Sequence, residues 1–122
     1  MSYSIYLVDK NTRETLTADF SSTSRKGTCC LSNSPARRCE FNITYNYRPF
    51  FVRTIDKDEG IRKLYGMTAK ESIPVLEKAI SMLGDDVDAD YWKATEGNAK
   101  EALRGLLTIA KAADPDGVWS GD

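Results

Sequence analysis

The chain has 122 residues, 41% of them apolar, a net charge of −1 and no histidine. That length fits one domain of about 100–150 residues, and the apolar fraction excludes a disordered chain. The missing histidine removes Ser-His and Cys-His nucleophilic pairs, histidine-ligated metals and the commonest general base, so neither an enzyme nor a cofactor is expected.

Residues 3–9 alternate and are rich in β-formers, predicting a strand. Asp9-Lys10-Asn11-Thr12-Arg13 is a turn cluster, and Leu16, Ala18 and Phe20 alternate as a returning strand, so an N-terminal hairpin is expected. Residues 21–40 read as a surface loop with a short strand near Thr28–Leu31. Residues 40–47, EFNITYNY, form the clearest strand. Phe41, Ile43, Tyr45 and Tyr47 fall on one face, and Asn42, Thr44 and Asn46 on the other. Pro49 ends the strand and biases Arg48 away from helix, leaving Phe50-Phe51-Val52 as an apolar anchor.

Three helices follow. Gly60–Tyr65 is short, with Asp58 as its cap and Gly66 as its stop. The next lies within Thr68–Leu83, where Ile73, Leu76, Ile80 and Leu83 share one face. Its start is open: Thr68 with Glu71 has capping-box spacing, whereas a cap at Ser72 would keep Pro74 in the first turn. The acidic run 85–90 reads as a solvated connector, since it lacks the Gly and Glu of a calcium loop. Thr95 caps the last helix, with Ala99, Leu103, Leu106, Leu107 and Ala110 as its buried stripe. Asp114-Pro115 stops it, and Trp119 docks the tail. The expected fold class is α+β: a small antiparallel β-sheet (the hairpin plus the central strand) covered by two main α-helices.

Cys29, Cys30 and Cys39 are an odd number in one segment, which suits thiols in a reducing compartment better than disulfides. A zinc site would need a fourth ligand. No apolar run approaches the roughly 20 residues that span a bilayer, and MSYSIYLVDK does not read as a signal peptide. A cytoplasmic protein without membrane contact is expected, which makes the glycosylation pattern Asn42-Ile43-Thr44 a chance match.

Several strings together are specific: MSYSIYLVD, NITYNY, GIRKLYGMTAKESIPVLEKAI, GDDVDADYWKATEGNAKEAL and DGVW. In these, over nearly its whole length, the chain resembles a family of small, mostly uncharacterised phage and prophage proteins. The resemblance implies a viral or prophage origin and a host-cell cytoplasmic setting, and it supplies no activity. Cys29-Cys30 and Arg37-Arg38 depart from the family pattern.

Charge is divided along the chain. Residues 1–67 carry 11 Lys/Arg against 7 Asp/Glu, and residues 68–122 carry 6 against 11. Asn42, Thr44 and Asn46 stand at period two on the polar strand face, and Arg48, Arg53 and Arg62 follow. Amides offer paired donors and acceptors, and guanidinium groups fork onto phosphate. Glu96 and Asn98 open the last helix, whose N–H groups favour anions. These eight residues make a candidate site for a nucleotide-like anion, including sequestration of a bacterial immune signal by a homo-oligomer with pockets between protomers. The same residues also fit an ordinary solvated sheet face. The alternative is inhibition of a host protein through exposed aromatics among Tyr45, Tyr47, Phe50, Phe51 and Trp92. Nucleic-acid binding ranks below both, because the pI is about 5.5.

Overall fold

The computed structural model of the protein describes residues 2–19, 28–29, 36–90 and 92–121. The expected loop over 21–40 falls largely, and Phe20 and Cys30 wholly, outside the described residues. The fold is α+β, as the periodicities predict. Strand β1 (Ser2–Val8) is central, with antiparallel neighbours on both sides. On one side lies β5 (Glu40–Thr44), in register from Ser2↔Thr44 to Tyr6↔Glu40. On the other lies β6 (Val118–Gly121), from Ile5↔Gly121 to Val8↔Val118. Strand β3 (Thr28–Cys29) adds to the far edge of β5, while β2 (Thr17–Asp19) and β4 (Ala36–Arg38) pair separately.

The N-terminal hairpin is therefore paired only beside its turn, through the Val8↔Thr15 bridge. The Asp9 carboxylate accepts the N–H groups of Asn11 and Thr12 at 2.8 and 2.9 Å, and Arg13 adopts a left-handed φ of 64°. These bonds form the turn that the sequence signals. Beyond it the strands part, because the backbone of buried Cys39 is wedged between them. The Leu7 N–H donates to Cys39 O, and the Cys39 N–H donates to Leu16 O, each at 2.8 Å. The two edges of β1 go to β5 and β6, so the returning strand turns to β4.

Strand β5 also ends earlier than expected. The Thr44 hydroxyl accepts the Asn46 N–H and starts a 3₁₀ turn over Tyr45–Tyr47, which runs directly into α1 (Arg48–Thr54). Pro49 lies in the first turn of α1, where its fixed φ suits a helix and its missing N–H would have had no partner. Tyr47, Phe51 and Thr54 are buried at helical spacing, with the Tyr47 and Phe51 rings 6.4 Å apart and edge-on. Asn46 and Arg48 consequently leave the strand face, and the expected row of Asn42, Thr44 and Asn46 is broken.

The short segment Gly60–Leu64 is a 3₁₀ helix, and its turn is held by Asp56, not Asp58. The Asp56 Oδ2 accepts the N–H groups of Asp58 and Glu59. Helix α2 (Ala69–Ser81) starts at Thr68, with both halves of the capping box formed and Pro74 inside the helix. All four N-terminal N–H groups have acceptors: Ala69 on Gly117 O, Lys70 on Pro115 O, Glu71 on Thr68 Oγ1 and Ser72 on Thr68 O. Ser72, the competing cap, is buried instead and accepts the Trp119 indole N–H at 2.7 Å. Helix α3 (Glu96–Ala112) starts behind Thr95, as expected.

The core joins Tyr3, Ile5, Leu7, Phe41 and Ile43 of the sheet to Leu76 of α2, to Leu103, Leu106 and Ile109 of α3, and to Trp119. Small residues, Ala79 on α2 and Ala99, Ala102 and Gly105 on α3, sit buried on the helices. The tail that docks through Trp119 is itself a strand, an element the short DGVWSGD segment does not signal. Thr68→Ala removes one helix donor's acceptor and should lower unfolding stability by about 1 kcal/mol in urea titration without changing the sheet's circular dichroism.

Candidate functional site

The eight residues singled out from the sequence divide into internal ties and two clusters. Asn42 sits on the polar face of the sheet as expected, but its Nδ2 donates to Ser2 Oγ at 2.9 Å and Ser4 Oγ at 3.4 Å across β1. Thr44 is buried and serves as the cap described above. The first cluster surrounds Arg62. Its guanidinium lies 5.0 Å from the Tyr3 ring centre and 5.6 Å from that of Tyr45, and its Nη2 donates to the Tyr45 hydroxyl at 3.2 Å. Burial pushes the Tyr3 hydroxyl pKa up, with the charges of Arg62 and Arg48 opposing it. Arg48 is exposed and makes no ion pair among the described residues.

The second cluster contains Asn46, Arg53, Glu96 and Asn98, and it surrounds the acidic segment. Asn46 Nδ2 donates to the Trp92 carbonyl at 2.6 Å. Arg53 pairs with Glu96 at 3.2 Å and lies over the Phe50 ring at 5.4 Å. The same Glu96 oxygen accepts the Gly84 N–H at 3.0 Å, which brings the two ends of the 84–95 loop together. Asn98 is fully buried and acts as the loop's hub. Its Oδ1 accepts the Asp88 N–H at 2.9 Å, and its Nδ2 donates to the carbonyls of Asp90 and Lys93 at 3.1 and 3.0 Å. The carboxamide thus ties three backbone groups of the loop to the start of α3, the Asp90 and Lys93 carbonyls also accepting the N–H groups of Lys93 and Thr95.

This arrangement corrects the expectation of an open anion site at the start of α3. The Gly97 N–H donates to Asp86 Oδ1 at 3.0 Å, the Asn98 N–H to Thr95 Oγ1 at 3.1 Å, and the Ala99 N–H to Thr95 O at 3.1 Å. The helix terminus is already occupied by the protein's own carboxylate. Gly97 is required by the fit. A Cβ there would come within 2.5 Å of Val87 N and 2.6 Å of Asp86 C, backbone atoms that cannot swing aside.

The loop is more than a solvated connector. Lys100 donates to Asp85 at 2.7 Å and holds its carboxyl below the ordinary carboxylate range, first by this bond and then by its charge. The Asp88 and Asp90 carboxylates accept the N–H groups of Asp90 and Trp92. On this tied-down frame the apolar side chains face water. The exposed large apolar residues among those described are Met82, Val87 and Trp92, at 48%, 50% and 58%. Of the five aromatics considered for a protein interface, Tyr47 and Phe51 are buried, Tyr45 and Phe50 are half-buried, and Trp92 is exposed. Sequence reasoning named Asn98 for the wrong job and missed Gly97 and Asp86. The available signal was a Gly-Asn pair in a helix's first turn, where neither residue favours helix.

A separate groove of about 210 Å³ is lined by Asp9, Lys10, Asn11, Leu16, Asp114, Asp116 and Gly117. Asp9 and Asp114 there accept N–H groups of their own turns. No group of three or more Cys, Asp or Glu among the described residues could hold a metal ion. No helix among them is long and apolar enough to cross a membrane.

No family model, curated protein or solved structure matches the chain. Gly97→Ala should displace the loop from α3, costing about 1–3 kcal/mol. Amide exchange at Asp88 should then speed up, while exchange in β1 and β5 stays unchanged relative to global stability.

Proposed function

We propose that the protein is a non-enzymatic binding module that docks on another protein through the loop from Met82 to Trp92. The observation that carries this reading is the coincidence of two properties on one segment. The loop is fixed by the Asn98 hub and by Glu96, and it displays Met82, Val87 and Trp92 to solvent. Exposed tryptophan anchors are enriched among residues that dominate protein interfaces. A loop ordered beforehand avoids the cost of ordering it on binding. The sequence likeness to phage and prophage proteins makes a host-cell protein the natural partner, with inhibition as the natural consequence of occupying its surface. Affinity capture from host lysate checks this. A partner retained by the parent protein and by Arg48→Ala should be lost at least about tenfold with Trp92→Ala, a deficit of about 1.4 kcal/mol. Equal retention by Trp92→Ala would reject the loop as the docking surface.

A second reading, capture of a small nucleotide-like anion, has its support in the Arg62 cluster. There a guanidinium is oriented between Tyr3 and Tyr45, with exposed Arg48 nearby in charge terms. A ligand bound there at a hundredfold excess over Kd should add about 2.7 kcal/mol of stability. The expected result is a rise in Tm with one member of a nucleotide panel that disappears in Arg48→Ala. A flat response across the panel removes this reading for those ligands.

A further inference from the structure

We infer that the surface received by the Met82–Trp92 loop is cationic and apolar, a lysine- or arginine-bearing apolar face of another protein; this rests on the docking reading above and specifies its partner. The groups that the loop still offers form a short inventory. Its donors are largely consumed. The N–H groups of Gly84, Val87, Asp88, Asp90, Trp92, Lys93 and Thr95 all donate inside the protein. Its acids are numerous: Asp85, Asp86, Asp88 and Asp90 lie within six consecutive residues, against Lys93 alone as a cation in the loop. Two of the four have cation partners, Asp85 with Lys100 at 2.7 Å and Asp88 with Lys93 at 3.3 Å, while Asp86 and Asp90 make no ion pair among the described residues, so the segment stays net acidic. The Lys100 side chain is 14% exposed, whereas that of Asp85 is 82% exposed, so the ammonium lies beneath and the carboxylate faces water.

A partner's surface must therefore bring donors and positive charge to meet the carboxylates, and apolar groups to cover Val87 and Trp92. Polyanions are excluded by the same inventory, because phosphate would meet carboxylates with few free donors between them. The four Asp lie within six consecutive residues, and charges closer than one screening length of about 8–10 Å at physiological salt act jointly on an approaching cation.

The test uses the full chain and two synthetic amphipathic helices of about 18 residues. One alternates Leu and Lys faces, and the other replaces every Lys with Glu. Binding is read from the anisotropy of a dye on the peptide, so the signal does not depend on tryptophan. The Leu/Lys helix should bind and weaken about tenfold as salt is raised toward 1 M, while the Leu/Glu helix should not bind. Trp92→Ala should weaken the Leu/Lys helix about tenfold, and so should the double variant Asp88→Asn with Asp90→Asn. That double variant keeps each Oδ1 acceptor for the N–H groups of Asp90 and Trp92, and an unchanged Tm confirms its fold. Equal binding of both helices, no binding of either, or no loss in the double variant would overturn the cationic assignment. If that occurs while Trp92→Ala still loses its lysate partner, the docking surface stands and only its charge preference falls. If Trp92→Ala keeps the lysate partner as well, the docking reading falls with it.

Discussion

An indole cannot be buried without an acceptor for its N–H, and Trp119 meets this requirement through Ser72 at 2.7 Å. Much of the fold is arranged around that bond. It places β6 against β1, so β1 gains a second neighbour and becomes the central strand. It also places the preceding turn where the carbonyls of Pro115 and Gly117 take the first N–H groups of α2. The backbone of Trp119 is held on both sides, accepting from Gly66 and donating to Met67. A few C-terminal residues thus set the edge of the sheet and the origin of a helix together. Replacing Ser72 by an apolar residue would leave a buried donor unpaired, a larger penalty than the value of one ordinary hydrogen bond.

The same economy recurs at the other end of the helix pair, where Asn98 is the buried polar hub. Here the acceptor and donors serve a loop in place of a strand. Arg53 reaches from α1 to Glu96, so the basic first part of the chain and the acidic second part meet at this loop. An exposed ion pair of this kind contributes little stability. Its consequence is positional: Glu96 is held where it can accept the Gly84 N–H and close the loop.

The parts of the fold that depend on local signals were legible. The β1 alternation, the Thr95 cap, the stripe of α3 and the α+β class all follow from periods of 2 and 3.6 and from cap chemistry. The burial of Trp119 was legible from the cost of leaving an aromatic in a free tail. Features that depend on distant partners were not. Ser72 and Thr68 are both competent caps by sequence, and the choice is made by Trp119 and the 115–117 carbonyls. Tyr45 and Tyr47 continue the strand's alternation, yet Tyr47, Phe51 and Thr54 equally fit a helix, and Pro49 at its first turn decides for the latter. The candidate site fared similarly. Asn42, Thr44, Asn46 and Asn98 attracted notice as unpaired amides and hydroxyls, but their partners are backbone groups and serines that no spacing rule reveals.

The length of the connection between α2 and α3 bears on its purpose. Antiparallel helices are usually joined by about 2–8 residues, but here residues 82–95 intervene. Their ends are brought together at Gly84 and Glu96, and many of their backbone N–H groups donate within the protein. A connector needs neither property. Maintaining them takes a buried asparagine and a glycine in the first turn of α3, both costly to helix propensity. That cost is sensible if the loop's surface is the useful product. Compact closed loops on a rigid frame are where binding residues concentrate. Val87 and Trp92 on such a frame are covered without the further cost of ordering the backbone that carries them.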